Sequence, residues 1–427
     1  MRRRTFLVLG LASAATTAGL NGCASGSGGS GSRDAADDAG EVEVFSWWAG
    51  PGEKEGLDAM VTDFKKKFPH IEFTNAAVAG GSGTNARAIL TDRLKNHDPP
   101  DSYQAHAGLE LQGDVKAGLV EDLTFLYDRE GWTDKLPGGL LDAITLGGKI
   151  YSVPVNIHRA NLLWYSPTVL ARLGLSGPPR TWAELLSQAD RLKARKVTAL
   201  SIGPAWTQKH LLEAVLLGEL GPDKYNGLWS GKTDWASDDV RTAIDLFGQV
   251  LGVSDRATAA GDWQPALDKV IAGTAAYNVM GDWADAYLGR SKSLRFKTDY
   301  DVTTSPGSGG IYDFLTDSFT LPRGAPHRSA AEKWLIECGS VDGQDAFNPQ
   351  KGSVPARSDI DRSKYTGYLA TALADWQSPS ITVVGSLTHG VVANTSWNAA
   401  IDTALATFLQ DWDAARFASA VAAGRTL

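Results

Sequence analysis

The sequence predicts a layered α/β fold. Three observations carry it: strand-like and helix-like segments alternate between positions 41 and 106, a second region further along has the same character, and no repeat of roughly 20 to 50 residues points to a solenoid. Glu41-Val42-Glu43-Val44-Phe45-Ser46 alternates polar and apolar side chains and reads as a strand. Leu57, Met60, Val61, Phe64 and Phe68 follow at three- and four-residue spacing, which predicts a helix stopped by Pro69. Ile71–Phe73 starts a second strand, Gly80-Gly81-Ser82-Gly83 is a loop, Asn85–Leu94 a helix, and Ser102–His106 a third strand after the Asp98–Asp101 turn. This order predicts a mostly parallel sheet. In the second region Thr181 and Glu184 form a capping box ahead of Leu185, Leu186 and Leu192. Val240–Val250 and Trp263–Ala272 read as helices and Tyr277–Met280 as a strand, while the Ala-rich C-terminal stretch reads as mainly helical.

The N-terminus reads as an address and a tether. Arg2, Arg3 and Arg4 precede a mildly apolar stretch from Phe6 to Leu20, so residues 1–22 are expected to be an export signal, by either the twin-arginine or the general secretory route. Leu20-Asn21-Gly22-Cys23 resembles a bacterial lipobox, which makes Cys23 the expected lipidation site. Residues 23–40 then form a Gly/Ser tether expected to behave as flexible coil. With Cys23 acylated, Cys338 has no partner and reads as a buried small hydrophobe in a helix. The expected location is the outer face of the cell membrane, with the lipid as the only membrane contact.

Composition narrows the chemistry. Across 427 residues, 41 basic and 49 acidic side chains leave a net charge of −8, which argues against nucleic acid as a partner. The sequence has no His-Glu-x-x-His, Cys-x-x-Cys, Gly-x-Ser-x-Gly or Walker A pattern, and the seven histidines lack metal-ligand spacing, so no cofactor and no metal are expected. Gly81–Ala86 fits G-x-G-x-x-A, but the glycines read more simply as a loop allowing close backbone approach.

The informative pattern is aromatic rings beside polar groups. Trp47-Trp48 lies near Glu53; Gln104 and His106 share one face of a strand; Asn156 and His158 follow; then come Trp263, Asp282-Trp283, Asp317, Lys351 and His389. A pyranose offers apolar C–H faces to flat rings and a rim of hydroxyls to charged and amide groups. Of the 14 tryptophans, Trp132, Trp164, Trp182, Trp334 and Trp412 read as core. Of the adjacent Trp47 and Trp48, one is expected to pack while the other faces a cleft.

At these residues the sequence resembles the extracellular solute-binding proteins of carbohydrate ABC importers, and more narrowly the bacterial glucose/mannose-binding proteins. The matching segments are Trp47–Gly50, Gly80–Ala88, Asp98–Gly108, Ser152–Arg159, Asn278–Ala284, Thr316–Phe319, Asn348–Ser353 and Gly385–Gly390, in order along the chain. The resemblance implies a periplasmic-binding-protein-like (type II) fold: two discontinuous α/β lobes, residues 41–156 plus 316–352 and residues 157–315 plus 353–427, joined by hinge segments around a ligand cleft. It implies a monomeric, non-enzymatic receptor that closes on one monosaccharide, glucose-like or possibly mannose or galactose, and delivers it to permease subunits. Carried over by position, Trp47, Trp48, Trp263 and Trp283 would wall the sugar. Glu53, Gln104, His106, Asp317, Lys351 and His389 would bind hydroxyls with the Gly80 and Gly81 amides nearby, and Asn156 and His158 would be contacts or hinge. The segment after Trp48 is one residue longer than the family pattern, so Glu55 is an alternative to Glu53. Rival readings are an exported glycoside hydrolase, a shallow lectin-like surface protein, and a receptor for a small oligosaccharide.

Overall fold

The computed structural model describes residues 40–256 and 262–425. The export signal, Cys23 and all but the last residue of the tether lie outside the described residues.

The first sheet has five strands, ordered Ile71–Ala77, Gly40–Ser46, Ser102–His106, Asp317–Thr320 and Val153–Pro154. The first three are parallel, while Asp317–Thr320 runs antiparallel to both of its neighbours. Four of the five strands therefore run the same way, in keeping with the mostly parallel sheet predicted, and Asp317–Thr320, arriving from far along the chain, is inserted against them between Ser102–His106 and Val153–Pro154. Leu57, Met60 and Phe64 bury one stripe of helix Lys54–Lys67, which ends at Phe68 ahead of Pro69. That stripe joins Trp48, Phe319, Trp334 and Phe347 in one core.

A second five-stranded sheet, ordered Ser254–Asp255, Thr198–Ser201, Ala275–Val279, Leu162–Tyr165 and Asp301–Thr304, has its own core around Trp182, Leu211, Phe247 and Phe408. A three-stranded sheet, Thr382–Gly385, Ile311–Leu315 and His158–Arg159, adjoins it. The Thr382–Gly385 strand lies within the Ala-rich C-terminal stretch read as helical, where the β-branched run Ile381-Thr382-Val383-Val384 is its local signal. Thr181 accepts from the Glu184 amide at 3.1 Å, and the Glu184 carboxylate reaches back to the Arg180 amide at 2.6 Å, one residue before the cap.

The chain passes between the two lobes at three neighbouring places. Ile157 and Val354 exchange backbone hydrogen bonds at 2.7 and 3.1 Å, and the Thr316 hydroxyl donates to the Asn156 carbonyl. Trp132, Trp164, Trp182 and Trp334 are buried, but Trp412 is not: it caps helix Thr395–Asp411 in a left-handed conformation, 41% exposed, with the Arg256 guanidinium 5.8 Å from its ring. Cys338 is a buried free thiol.

Candidate functional site

Between the lobes lies a narrow cleft, with about 410 Å³ of atom-free space counting the part open to solvent. Trp47, Trp48, Trp206, Trp263 and Trp283 give it indole walls, and Glu53, His106, His158, Asp262, Asp317, Lys351 and His389 supply its polar groups, with Gly80 and Leu315.

Each wall is held from behind. Trp47 follows the carboxyl end of strand Gly40–Ser46, its ring 4.9 Å from that of His106. Gly83 supports it: the φ of +87° suits glycine, and a Cβ there would come within 3.1 Å of the indole. Trp48 packs on Phe347 and Phe319, ring centroids 4.8 and 5.7 Å apart, while still reaching the cleft. Both members of the pair therefore line the cavity, in place of the expected division between packing and cleft. Across it, Trp283 meets His158 edge-on at 5.3 Å and lies over Gly281, where a Cβ would collide with the indole.

Asp317 sits in a cradle of amides. Gln104 Nε2 donates to one carboxylate oxygen at 2.9 Å and Asn156 Nδ2 to the other at 2.8 Å, while Asn156 Oδ1 accepts from the Asp317 amide at 2.8 Å. Gln104 Oε1 also accepts from the Trp47 amide at 3.2 Å. Neither Gln104 nor Asn156 is on the cavity wall; both spend their amides on positioning Asp317. Gly81 likewise sits back from the wall, in a short turn, and Gly80 alone of the two glycines reaches it.

The histidines differ in how tightly they hold a proton. Burial pulls the His106 imidazole down, but Glu110, at 3.2 Å from Nδ1, and then Asp317 outweigh it and hold its pKa above the ordinary value. Burial, reinforced by Lys351, drives His158 well below, and burial with His106 as the nearest like charge does the same to His389. His158 Nδ1 is bonded to Asp282 and His389 Nδ1 to the Ser386 hydroxyl at 2.8 Å, which leaves Nε2 of each with no hydrogen-bond partner among the described residues. Asp282 faces His158 and the Arg159 amide and does not reach the cavity.

Lys351 is buried, its ammonium makes no hydrogen bond or ion pair among the described residues, and Nζ lies 5.8 Å from the Trp48 ring and 5.9 Å from that of Trp283. Glu53 precedes helix Lys54–Lys67 and lines the cavity; Glu55 is exposed and accepts from the Gly52 amide at 2.9 Å. Burial raises the Glu53 pKa to about 7 against the pull of Lys351, with Asp262, Asp317 and Glu55 adding to the rise. Sequence reasoning missed Trp206, Asp262 and Leu315. The dipeptide Asp262-Trp263 repeats the acid-before-indole signal of Asp282-Trp283, and Trp206, at the start of a long helix, is followed by the polar run Thr207-Gln208-Lys209-His210 that could have marked it.

Residues 50–345 match the bacterial extracellular solute-binding proteins. The chain belongs to that family. It is 31% identical to an uncharacterized ABC transporter extracellular-binding protein of Pyrococcus horikoshii, over 82% of this chain and 79% of that one. It is 30% identical to a probable sugar-binding periplasmic protein of Brucella suis, over 82% and 83%. Among solved structures, a bacterial solute receptor with a preference for β-D-galactopyranose superposes with a TM-score of 0.77 over 91% of this chain and 98% of its own, at 16% identity. A chitin oligosaccharide binding protein also reaches 0.77, over 91% and 98%, at 17% identity. The fold is the type II periplasmic-binding-protein-like one, and the family is one of receptors rather than enzymes.

Proposed function

We propose that this protein is the sugar-binding component of an ABC importer, tethered outside the membrane through lipidated Cys23, and that it closes on a single pyranose ring and hands it to the permease. The lobe boundaries proposed are residues 41–156 with 316–352 and residues 157–315 with 353–427. The observation that carries the reading is a cleft in which indole faces stand opposite hydrogen-bonding atoms left open: His158 Nε2, His389 Nε2 and the Lys351 ammonium. Buried polar atoms without partners are costly unless a ligand satisfies them, and a hydroxyl both donates and accepts, which suits neutral imidazoles and a carboxylate alike. Apolar C–H faces of the ring would lie on Trp47, Trp263 and Trp283. The same geometry supports Glu53, His106 and Asp317 as hydroxyl partners, with Gln104 and Asn156 holding Asp317 in place. The sugar-binding relatives support a carbohydrate ligand.

A thermal-shift titration of the mature chain tests this. Glucose, mannose or galactose is expected to raise the melting temperature, as any ligand specific to the folded state does, and Trp283→Ala or Asp317→Ala to abolish the rise in a chain that still folds. Sustained hydrolysis of nitrophenyl glycosides would overturn the receptor reading. Cys23→Ser is expected to release the protein from the membrane fraction.

A further inference from the structure

His158 reaches the cavity through one ring nitrogen and is gripped from behind through the other. Its Nδ1 is bonded to Asp282, and both side chains are buried. The carboxyl is held in place through the backbone: the Asp282 amide donates to the Arg159 carbonyl at 3.0 Å, and the Arg159 amide donates back to Asp282 Oδ2 at 2.9 Å. One carboxyl oxygen is therefore an acceptor, and the other faces Nδ1. Trp283, next in the chain, stands at 90° to the imidazole.

A neutral imidazole carries its one proton on either nitrogen, and the partner of the first decides the state of the second. His158 Nε2 lies 3.6 Å from Asp317 Oδ2, on a carboxylate that already accepts from Gln104 and Asn156. A lone pair on Nε2 would face the lone pairs of that oxygen, whereas an N–H there faces an acceptor. With the proton on Nε2, Nδ1 has only a lone pair to offer, and Asp282 must donate to it. Burial favours the same assignment. It pushes the Asp282 carboxyl well above the ordinary range, against the Arg159 amide, Lys351 and the Arg159 guanidinium. It drives His158 well below, helped by Lys351 and His106 and opposed by Asp317, so a second proton on the ring is disfavoured. The other flank of Asp317 is built differently. His106 Nε2 lies 3.8 Å from Asp317 Oδ1, and the acid behind Nδ1 is Glu110, whose pKa burial raises but His106 lowers further, so that acid is the anion.

We propose that Asp282 is a positioning residue for ligand recognition: as a carboxylic acid it donates to His158 Nδ1 and holds the imidazole as the tautomer with its N–H on Nε2, aimed into the cavity beside the Asp317 acceptor. This rests on the sugar-receptor reading above and deepens it, because it states what the ligand must carry at this point. A hydroxyl accepts from Nε2 and donates to Asp317; a group that only accepts leaves the carboxylate unpaired.

Nitrogen-15 spectra of the mature chain, with His158 assigned, read the tautomer directly. Nε2 is expected to be protonated and Nδ1 unprotonated. Calorimetric titration with glucose, mannose and galactose gives the second readout. Asp282→Ala donates nothing to the ring and is expected to weaken the best of the three sugars at least tenfold. Asp282→Asn offers an amide to Nδ1 and a carbonyl to the Arg159 amide, as the acid does, and is expected to recover affinity to within about threefold of the parent with the same ring shifts. The proposal is overturned if Nδ1 carries the proton in the parent, if Asp282→Ala binds as the parent does, or if Asp282→Asn loses as much as Asp282→Ala. Should Asp282→Ala fail to fold, the asparagine variant and the parent's ring shifts still decide. Binding of none of the three sugars would count against the receptor reading itself, and the ring shifts would then decide the tautomer alone.

Discussion

Glu53→Gln isolates one carboxyl at the cavity rim. The folded-state pKa of Glu53 lies near 7, against an ordinary 4.5, chiefly because burial disfavours the anion more than Lys351 favours it. The folded state therefore holds this proton more tightly than the unfolded chain. Its contribution to stability is fully present below about pH 4.5 and is lost as pH rises through about 7. At about 1.36 kcal/mol per pKa unit, the rise corresponds to about 3 kcal/mol, an upper bound because the side chain is only partly buried. Glutamine keeps the shape without the proton equilibrium. Urea unfolding of both proteins at pH 4.5, 6 and 8 reads the difference directly; Glu337, also near 7, cancels because both chains carry it. The variant is expected to gain on the parent progressively, by up to about 3 kcal/mol at pH 8. A difference that stays flat across this range, or that shrinks, refutes the reasoning.

Asn156→Ala removes both the donor to the Asp317 carboxylate and the acceptor for its amide; hydrogen bonds to charged groups contribute about 1.5–3 kcal/mol, so sugar affinity by calorimetry is expected to fall at least tenfold. Gly83→Ala forces a side chain into φ +87° and against Trp47, at about 1–2 kcal/mol of backbone strain, and is expected to lower both the melting temperature and the affinity. In a chain carrying Cys23→Ser, a thiol reagent is expected to find no reactive group in the native state and one, Cys338, after denaturation.

Much of the first lobe was legible because its signals are local. The stripe of Leu57, Met60 and Phe64 and the alternation of Glu41–Ser46 each fall within a few residues of one another. The antiparallel Asp317–Thr320 strand was not legible as sheet direction, since its direction is set by partners more than 150 residues away. At the site, the cavity gathers Trp47, Trp48, Trp263, Trp283, Asp317, Lys351 and His389, all marked by the pairing of rings with polar groups. Gln104 bears the same mark yet turns its amide to Asp317, because residue type announces hydrogen-bonding capacity and not the atom that satisfies it. Trp412, read as core, ends a helix at the surface, where a left-handed cap decides its direction.

The amide cradle around Asp317 is built on the first sheet: Gln104 and Asp317 stand on neighbouring strands, and Asn156 follows the Val153–Pro154 strand at its edge. On the closure proposed above, that carboxylate would stay aimed while Trp263, Trp283 and His389 come down as a lid, and the first lobe would serve as an anvil shaped before the second folds onto the sugar.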